Sequence, residues 1–159
     1  VTPMKPYELI MGKTIPYIVI SLIQMAGVLL LAIYLFELPI RGSLPMFFLA
    51  ICLFLMSTMG IGLFISTISA TQQQAMMMTF FFIQPSFLLS GFVFPIANMP
   101  VIVQWLTYVN PFRYILEIIR GIFLKGVGLE VLWPQYVSLA FLGLAVFAAA
   151  VLRFHKRLD

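Results

Sequence analysis

Three stretches of the chain contain no charged residue and no histidine, and they set the predicted architecture. These stretches lie at positions 14–36, 42–112 and 131–152, and they are 23, 71 and 22 residues long. A hydrocarbon core about 30 Å thick needs roughly 20 residues of helix to cross it. The first and last stretches therefore each predict one membrane span, and the middle stretch predicts at least two.

Two polar turns separate these stretches into helices. ELPIRGS at 37–43 precedes the middle stretch, and SATQQQ at 69–74 interrupts it. Open strands and irregular backbone are not stable in lipid, and the sequence shows no strand-like alternation. The predicted fold is therefore an all-α membrane protein. Three transmembrane helices are expected within residues 15–94, at about 15–36, 44–68 and 75–94. The fourth is expected at about 133–152, within the final segment 131–159.

The N-terminal segment 1–14 is short and amphipathic. Pro6 can occupy a first helical turn, Glu8 suits the positive end of that helix, and Lys13 lies towards its other end. We expect this segment to lie along the membrane surface. It ends in a Gly-Lys-Thr triplet, but a phosphate-binding loop would need a glycine at the position of Tyr7. The chain itself is therefore not expected to bind ATP.

Residues 95–130 are too polar and too broken to cross a membrane as one helix. Asn98 or Met99 can cap a short helix that begins near Pro100 and ends at about Val109. Nine helical residues extend about 14 Å, which is half of a membrane. This segment therefore predicts an interruption between spans, and not another span.

A second helix is predicted directly after the first. Asn110 and Pro111 repeat the start signal of a capping residue followed by proline, and Lys125 with Gly126 forms a favourable C-terminal end. Together the two helices predict a re-entrant helix–turn–helix. The alternative is a helical hairpin that lies flat on the membrane.

One face of the second helix is charged. Arg113, Glu117 and Arg120 follow one another at i, i+4 and i+7, so Glu117 can pair with either arginine. The opposite face is formed by isoleucines, namely Ile115, Ile118, Ile119 and Ile122. The hairpin is thus expected to have a polar side and an apolar side.

Composition agrees with this reading and excludes several functions. The chain is 63% apolar and only 9% charged, with a mean hydropathy of +1.12, whereas soluble domains are about a quarter charged. The predicted spans contain no ionisable residue, which argues against a proton- or sodium-coupled pump. His155 is the single histidine and lies in the basic tail, so a histidine-dependent triad or metal site is excluded. Most cations flank the spans, which gives no evidence for nucleic-acid binding.

Two other patterns concern packing. Small residues recur at four-residue intervals along the second span, and this spacing favours close helix packing, either within the protein or at a dimer seam. They are Thr58, Gly62, Ser66 and Ala70. Met76–Met78 and Phe80–Phe82 can line a hydrophobic path or simply face lipid. Cys52 is the only cysteine, so no internal disulfide is expected.

The broken segment and its surroundings resemble a known family. PSFLLSGFVFPIANMPVIVQWLTYVNPFRYILEIIRGIFLKG resembles the hallmark segment of ABC-2 type transporter permeases, the membrane subunits of bacterial export systems. GIGLFISTISATQQQAMMM resembles the stretch that precedes it, and VTPMKPYELIMGKTIPY resembles the cytoplasmic coupling segment. The likeness covers essentially the whole chain and is greatest to multidrug-type exporters.

The resemblance implies the C-terminal part of a six-span subunit in the bacterial inner membrane. Both ends would be cytoplasmic, which agrees with a slight excess of cations at the predicted terminal side. Because the sequence opens at Val1 rather than methionine, we also expect it to be part of a longer chain. A separate or fused ATPase would use ATP and magnesium, a second permease copy would complete the pathway, and a periplasmic adaptor protein is a further candidate partner.

The resemblance also implies roles for particular residues. The coupling segment would dock on the ATPase, with Tyr7, Glu8 and Lys13 as candidate contacts. The broken helices would form an extracytoplasmic gate. Its candidate residues are Pro95, Asn98, Pro100, Asn110, Pro111, Arg113, Glu117 and Arg120. The rival hypothesis is a non-transporting membrane scaffold; an intramembrane enzyme ranks below both, because no nucleophile–base pair is visible.

Overall fold

The computed structural model describes residues 6–155, and this part of the chain is helical with short connections. Strands are absent from residues 6–155, so the predicted all-α fold is confirmed. The helices are α1 (Pro6–Phe36), α2 (Leu44–Ile68), α3 (Gln72–Leu88), α4 (Val101–Thr107), α5 (Pro111–Arg120) and α6 (Leu129–His155). A 3-10 turn at Ile96–Asn98 precedes α4, and a π-helical turn at Gly121–Lys125 continues α5.

Helix α1 belongs to a unit of its own, Val1–Ile40. It runs without interruption for 31 residues, about 46 Å, and passes through Pro16. The structure therefore shows no break at position 14, where the sequence predicted a boundary between a surface segment and the first span. The helix ends before Glu37, whose positive φ of 49° is typical of a helix C-terminus.

The second unit, Arg41–Asp159, is built on α2 and α6. These two helices run parallel, because Met46 pairs with Tyr136 near their starts while Gly60 approaches Phe147 further along. A Cβ atom at Gly60 would lie 2.9 Å from the Phe147 backbone nitrogen, so the two helix backbones are nearly in contact. Small residues permit this distance, as they do between membrane helices in general.

A second close approach joins the same two helices. Gly143 of α6 faces α2, where an added Cβ would lie 2.8 Å from Met56 Cε and 2.9 Å from Ser57 Oγ. The Ser57 hydroxyl is buried and donates to the carbonyl oxygens of Leu53 and Leu139, at 3.1 and 3.3 Å. Helix α5 packs on both α2 and α6, whereas α3 touches α2 more lightly.

Among residues 6–155, three helices are long and apolar enough to cross a membrane: Met11–Phe36, Leu44–Ile68 and Leu129–Arg153. The predicted third span, 75–94, was wrong in its end point. Helix α3 stops at Leu88 and not at 94, so its 17 residues extend only about 25 Å. It stops because the chain turns through Gly91, which has a left-handed φ of 85° that a continuing helix cannot contain.

Candidate functional site

The segment between α3 and α6 contains two short helices joined by polar side chains, and we call residues 95–125 the α4–α5 hairpin. Pro95 begins the 3-10 turn at Ile96–Asn98, and Pro100 is the N-cap of the seven-residue α4. The expectation that Asn98 or Met99 caps this helix was wrong. Asn98 is exposed within the 3-10 turn, and Pro100 starts the helix because its ring fixes φ near the helical value.

Asn110 connects the end of α3 to the start of α5, and its predicted capping role is confirmed. Its side-chain oxygen accepts a hydrogen bond from the Phe112 amide at 3.1 Å, while Pro111 occupies the first turn of α5. Its side-chain nitrogen donates to the Ser86 carbonyl at 2.6 Å. That carbonyl belongs to the last turn of α3, where helix carbonyls have no partner along the helix. One buried amide therefore caps the end of α3 and the start of α5.

Arg113 holds α4 against α5. Its Nη1 donates to Thr107 Oγ1 at 2.5 Å, and its guanidinium lies 4.2 Å from the ring centroid of Tyr108. Its Nε lies 3.7 Å from Glu117 Oε1, so the predicted pairing of Glu117 with an arginine is confirmed for Arg113. Thr107 is fully buried, and only 16% of the Arg113 side chain is exposed. The Glu117 side chain is 39% exposed, so solvent partly screens this ion pair.

Gln135 extends this network to α6. Its Nε2 donates to Glu117 Oε2 at 2.8 Å, so the carboxylate receives the α6 amide on one oxygen and faces Arg113 with the other. Within residues 6–155, Arg113 Nε and Gln135 Oε1 are buried without a hydrogen bond. We call Arg113, Glu117 and Gln135 the polar triad. It joins α5 to α6 through charged and amide groups.

Arg120 forms a separate contact and does not pair with Glu117. Its Nη2 donates to the Gly91 carbonyl at 3.2 Å. Gly91 is buried and has positive φ, so this contact fixes the turn by which the chain leaves α3. An added Cβ at Gly91 would also lie 3.1 Å from the Ile96 side chain. The turn therefore requires glycine for its backbone conformation and has little space for a larger residue.

Apolar contacts bind the hairpin to the α2–α6 pair. Ile115, Ile118 and Ile122 are buried, as the predicted isoleucine face requires, and Ile119 is half-buried. The rings of Phe112 and Phe54 meet edge to face at a centroid distance of 5.1 Å. Such aromatic pairs contribute about 0.5–1.5 kcal/mol beyond the area they bury.

Tyr114 joins the polar and apolar sides of α5. Its hydroxyl donates to the Tyr108 carbonyl at 2.7 Å, which closes the turn between α4 and α5. Burial raises the pKa of the Tyr114 phenol above its ordinary value. The phenol therefore keeps its proton at neutral pH, as this hydrogen bond requires.

The end of α5 lies against the start of the second unit. The predicted end signal is confirmed, because Gly126 has a left-handed φ of 64° immediately after Lys125. Arg41 Nη1 lies 3.4 Å from the Leu124 carbonyl. An added Cβ at Gly42 would lie 2.7 Å from the Ile122 carbonyl oxygen. The loop before α2 is thus packed directly on the last turn of the hairpin.

The other candidate residues lie on α1 and along α2. Glu8 and Lys13 are exposed on α1, and the Tyr7 side chain lies outside the described part of the structure. Within the row of small residues, Thr58 donates back to carbonyls of its own helix, Gly62 has no neighbour within 4 Å of an added Cβ, and Ser66 is exposed. The close helix approach described above instead uses Ser57, Gly60 and Gly143.

Three partners in the network have no motif in the sequence. Ser86 and Gly91 contribute backbone carbonyls, which side-chain patterns cannot reveal. Gln135 carries a weak signal, because it is a polar residue near the start of an apolar run. The described residues contain no group of three His, Cys, Asp or Glu side chains that could hold a metal ion.

This arrangement defines a helical membrane protein in which a hairpin stabilised by polar side chains lies between apolar helices. Residues 1–124 match the model of the ABC-2 type transporter family, and the chain belongs to this family. The long apolar helices agree with membership of a membrane-protein family.

Three relatives illustrate the similarity. The chain is 38% identical over 152 residues to the probable multidrug ABC transporter permease YbhR of Escherichia coli (strain K12), covering 93% of this chain and 41% of that protein. It is 32% identical over 157 residues to the inner membrane transport permease YhhJ of the same strain, covering 98% and 42%. It is 29% identical over 147 residues to ABC transporter G family member 20 of Dictyostelium discoideum, covering 91% and 20%.

The chain spans about two fifths of the length of the E. coli relatives it matches. No solved structure matches it significantly.

Proposed function

We propose that this chain is part of the permease of an ATP-driven exporter in the bacterial inner membrane. In this proposal α1, α2, α3 and α6 cross the membrane as the last four spans of a six-span subunit, with both ends cytoplasmic. The α4–α5 hairpin enters the membrane from the extracytoplasmic side and gates the pathway. Family membership and the names of the bacterial relatives support the transport function, and multidrug substrates are the class that those names suggest.

The polar contacts around α4, together with the polar triad, are the observation that carries the gating proposal. Irregular backbone is tolerated within a membrane only against protein or a water-filled cavity. Here side chains of the same fold satisfy backbone carbonyls on both sides of α4. Asn110 and Arg120 donate to the Ser86 and Gly91 carbonyls before α4, and Tyr114 donates to the Tyr108 carbonyl after it. An element fixed by a few discrete polar contacts can adopt a second arrangement when those contacts exchange.

The exposed surface of α4 is consistent with a position at the membrane boundary. Trp105 is 71% exposed and Tyr108 is 52% exposed, and amphipathic aromatic rings favour the membrane–water interface. Their position next to the polar triad supports the proposal that this triad lies close to the extracytoplasmic mouth.

The energy source in this proposal is a partner or fused ATPase, which uses ATP and magnesium. The start of α1 would contact it through Tyr7, Glu8 and Lys13. Because α1 runs unbroken from Pro6 to Phe36, a movement at its start can be transmitted along one helix. A second permease copy completes the pathway, and a periplasmic adaptor protein is a further proposed partner.

Co-purification of the complete parent protein tests the energy source. The parent protein is solubilised from native membranes under mild conditions, and the bound proteins are identified. We expect an ATPase to be present as a subunit or a fused domain, and Glu8→Lys to release a separate one. Absence of any nucleotide-binding protein or domain would leave export without an energy source and favour a non-transporting scaffold.

Transport measurements in membrane vesicles test the gate. Glu117→Lys replaces the attraction to Arg113 by repulsion at i, i+4, and we expect loss of ATP-dependent transport with the complex still assembled. Lys125→Glu is the matched control, because it also reverses one charge but lies outside the triad. Equal transport by Glu117→Lys and the native protein would contradict the gating role.

A further inference from the structure

A groove lies between the C-terminal half of α2 and the N-terminal half of α3. Its volume is about 870 Å³, within the range of about 300–1,000 Å³ typical of pockets for drug-sized ligands. Nine of its twelve lining residues are apolar, and the other three are uncharged polar residues at the start of α3. The groove is open along its length, and Met77 and Phe81 on its α3 side are exposed. It therefore opens towards whatever surrounds the helices.

The lining suits a flexible apolar chain. Phe64 and Ile68 form the α2 side, and the unbranched Met77 and Met78 form part of the α3 side. Methionine fills irregular gaps and adapts to different apolar shapes. For helices that lie in a bilayer, the flexible apolar material around such a groove is acyl chain.

A cation stands beside this apolar groove. The Arg153 guanidinium lies 5.9 Å from the ring centroid of Phe64, which lines the groove. No carboxylate lines the groove within the described part of the chain. Glu130 stands 23 residues before Arg153 on α6, about 35 Å away along the helix. The charge at this end of the bundle is therefore suited to an anion.

The start of α3 adds to this preference for negative charge. Thr71 caps the helix by accepting from the Gln74 amide at 3.2 Å, and both residues line the groove. The N-terminus of a helix carries a partial positive charge. Arg153 and the α3 N-terminus therefore place positive potential at the same end of a groove that is otherwise apolar.

We propose that this groove binds an acidic phospholipid of the surrounding bilayer. An acyl chain lies between α2 and α3, and the phosphate group lies against Arg153. The proposal is independent of export, because it requires only that α2, α3 and α6 stand in a membrane. It assigns a lipid site to a surface remote in sequence from the α4–α5 hairpin.

Photolabelling of the complete parent protein in nanodiscs tests this site in the absence of ATP. The nanodiscs contain phosphatidylcholine with a small fraction of a probe that carries a photoreactive group on its acyl chain. The probe is either phosphatidylglycerol or phosphatidylcholine, and labelled peptides are identified by mass spectrometry. We expect the phosphatidylglycerol probe to label residues 61–82 more strongly than the phosphatidylcholine probe.

Matched variants separate a specific site from ordinary lipid contact. Arg153→Gln should lower labelling by phosphatidylglycerol about five-fold, as expected for one basic residue, and leave labelling by phosphatidylcholine unchanged. Lys125→Gln removes the same charge outside the groove and should change neither. Met77→Trp narrows the groove and should lower labelling by both probes.

Two results would overturn the proposal. Equal labelling by the two probes would show that the groove meets only bulk acyl chains. An Arg153→Gln variant that keeps the preference for phosphatidylglycerol would show that the arginine does not hold the phosphate. Neither result depends on an ATPase or on transport, so failure of the lipid site is distinguishable from failure of the export proposal.

Discussion

Asn110 and Ser86 are joined by a hydrogen bond of 2.6 Å that links the start of α5 to the last turn of α3. The two residues are separated by 24 positions, which include the turn at Gly91 and the whole of α4. The same Asn110 side chain also caps α5 through the Phe112 amide. One buried amide side chain therefore joins the end of α3 to the start of α5, on either side of the stretch that contains α4.

Asn110→Ala should destabilise the protein by about 2–4 kcal/mol. The substitution removes a helix cap, which contributes roughly 1 kcal/mol, and leaves the Ser86 carbonyl without a partner, which costs about 1–3 kcal/mol when the group is buried. Asn110 is only 6% exposed, so water cannot readily replace the lost bonds. The loss is measured as a decrease in the free energy of unfolding of the detergent-solubilised parent protein.

Two variants control this measurement. Asn98→Ala alters an exposed asparagine in the 3-10 turn and should change stability by less than about 0.5 kcal/mol. Asn110→Asp keeps an oxygen for the Phe112 amide but places a carboxylate against the Ser86 carbonyl. An aspartate variant as stable as the native protein would show that the Ser86 bond contributes nothing.

The charged face of α5 shows which part of this site could be predicted from the sequence. The spacing of Arg113 and Glu117 predicted their pairing, because a helix fixes the distance between i and i+4 regardless of tertiary structure. The start of α5 at Asn110–Pro111 could be predicted for the same reason, since a helix cap is a local feature. The contacts of Arg120 with Gly91 and of Glu117 with Gln135 could not be predicted, because they depend on how the chain folds back on itself.

The helix ends follow the same division. Charge-free runs located α2 and α6 well, because apolar length is a property of the sequence alone. The end of α3 was placed six residues too late, since its last turn and the stretch to residue 94 are similarly apolar and the turn is set by the backbone of Gly91. Likewise, four-residue spacing pointed to Gly62, whereas the contact with α6 falls at Gly60, because only the packed structure decides which helix face is covered.

Glu117 and Gln135 should be energetically coupled. Replacing both by alanine, singly and together, should give a coupling free energy of roughly 0.5–1.5 kcal/mol, in the range expected for one side-chain hydrogen bond. The value should stay in the lower part of that range, because the Glu117 side chain is 39% exposed and water can partly replace Gln135. A double-mutant cycle of unfolding free energies measures it, and additive effects would show that α5 and α6 are not linked through this pair.

Arg120 should restrain the turn after α3. In Arg120→Gln, the long guanidinium contact with the Gly91 carbonyl is lost, and the backbone at 89–98 should open more often. Hydrogen–deuterium exchange of peptides from this region should therefore be several-fold faster. Lys125→Gln removes the same charge after α5 and should leave exchange at 89–98 unchanged. Equal exchange in both variants would contradict the role of the Arg120 contact.

Gly60 and Gly62 should respond oppositely to alanine, although they stand two residues apart on α2. An alanine Cβ at position 60 would meet the Phe147 backbone at 2.9 Å, and neither helix backbone can move without loss of packing along the α2–α6 contact. Gly60→Ala should therefore destabilise by about 1–3 kcal/mol, as overpacked sites generally do. At position 62 nothing lies within 4 Å, so alanine should be neutral or should stabilise the helix by up to about 1 kcal/mol.

Thermal unfolding of the two alanine variants in detergent tests this prediction. Because both variants replace glycine by alanine, the chemical change is the same in each. A lower unfolding temperature for Gly62→Ala than for Gly60→Ala would mean that the row of Thr58, Gly62 and Ser66 forms the essential packing surface. In that case an additional chain would have to cover the row, because Gly62 has open space around it in this structure. The comparison therefore distinguishes packing within one copy from a seam between copies, which the four-residue spacing alone left open.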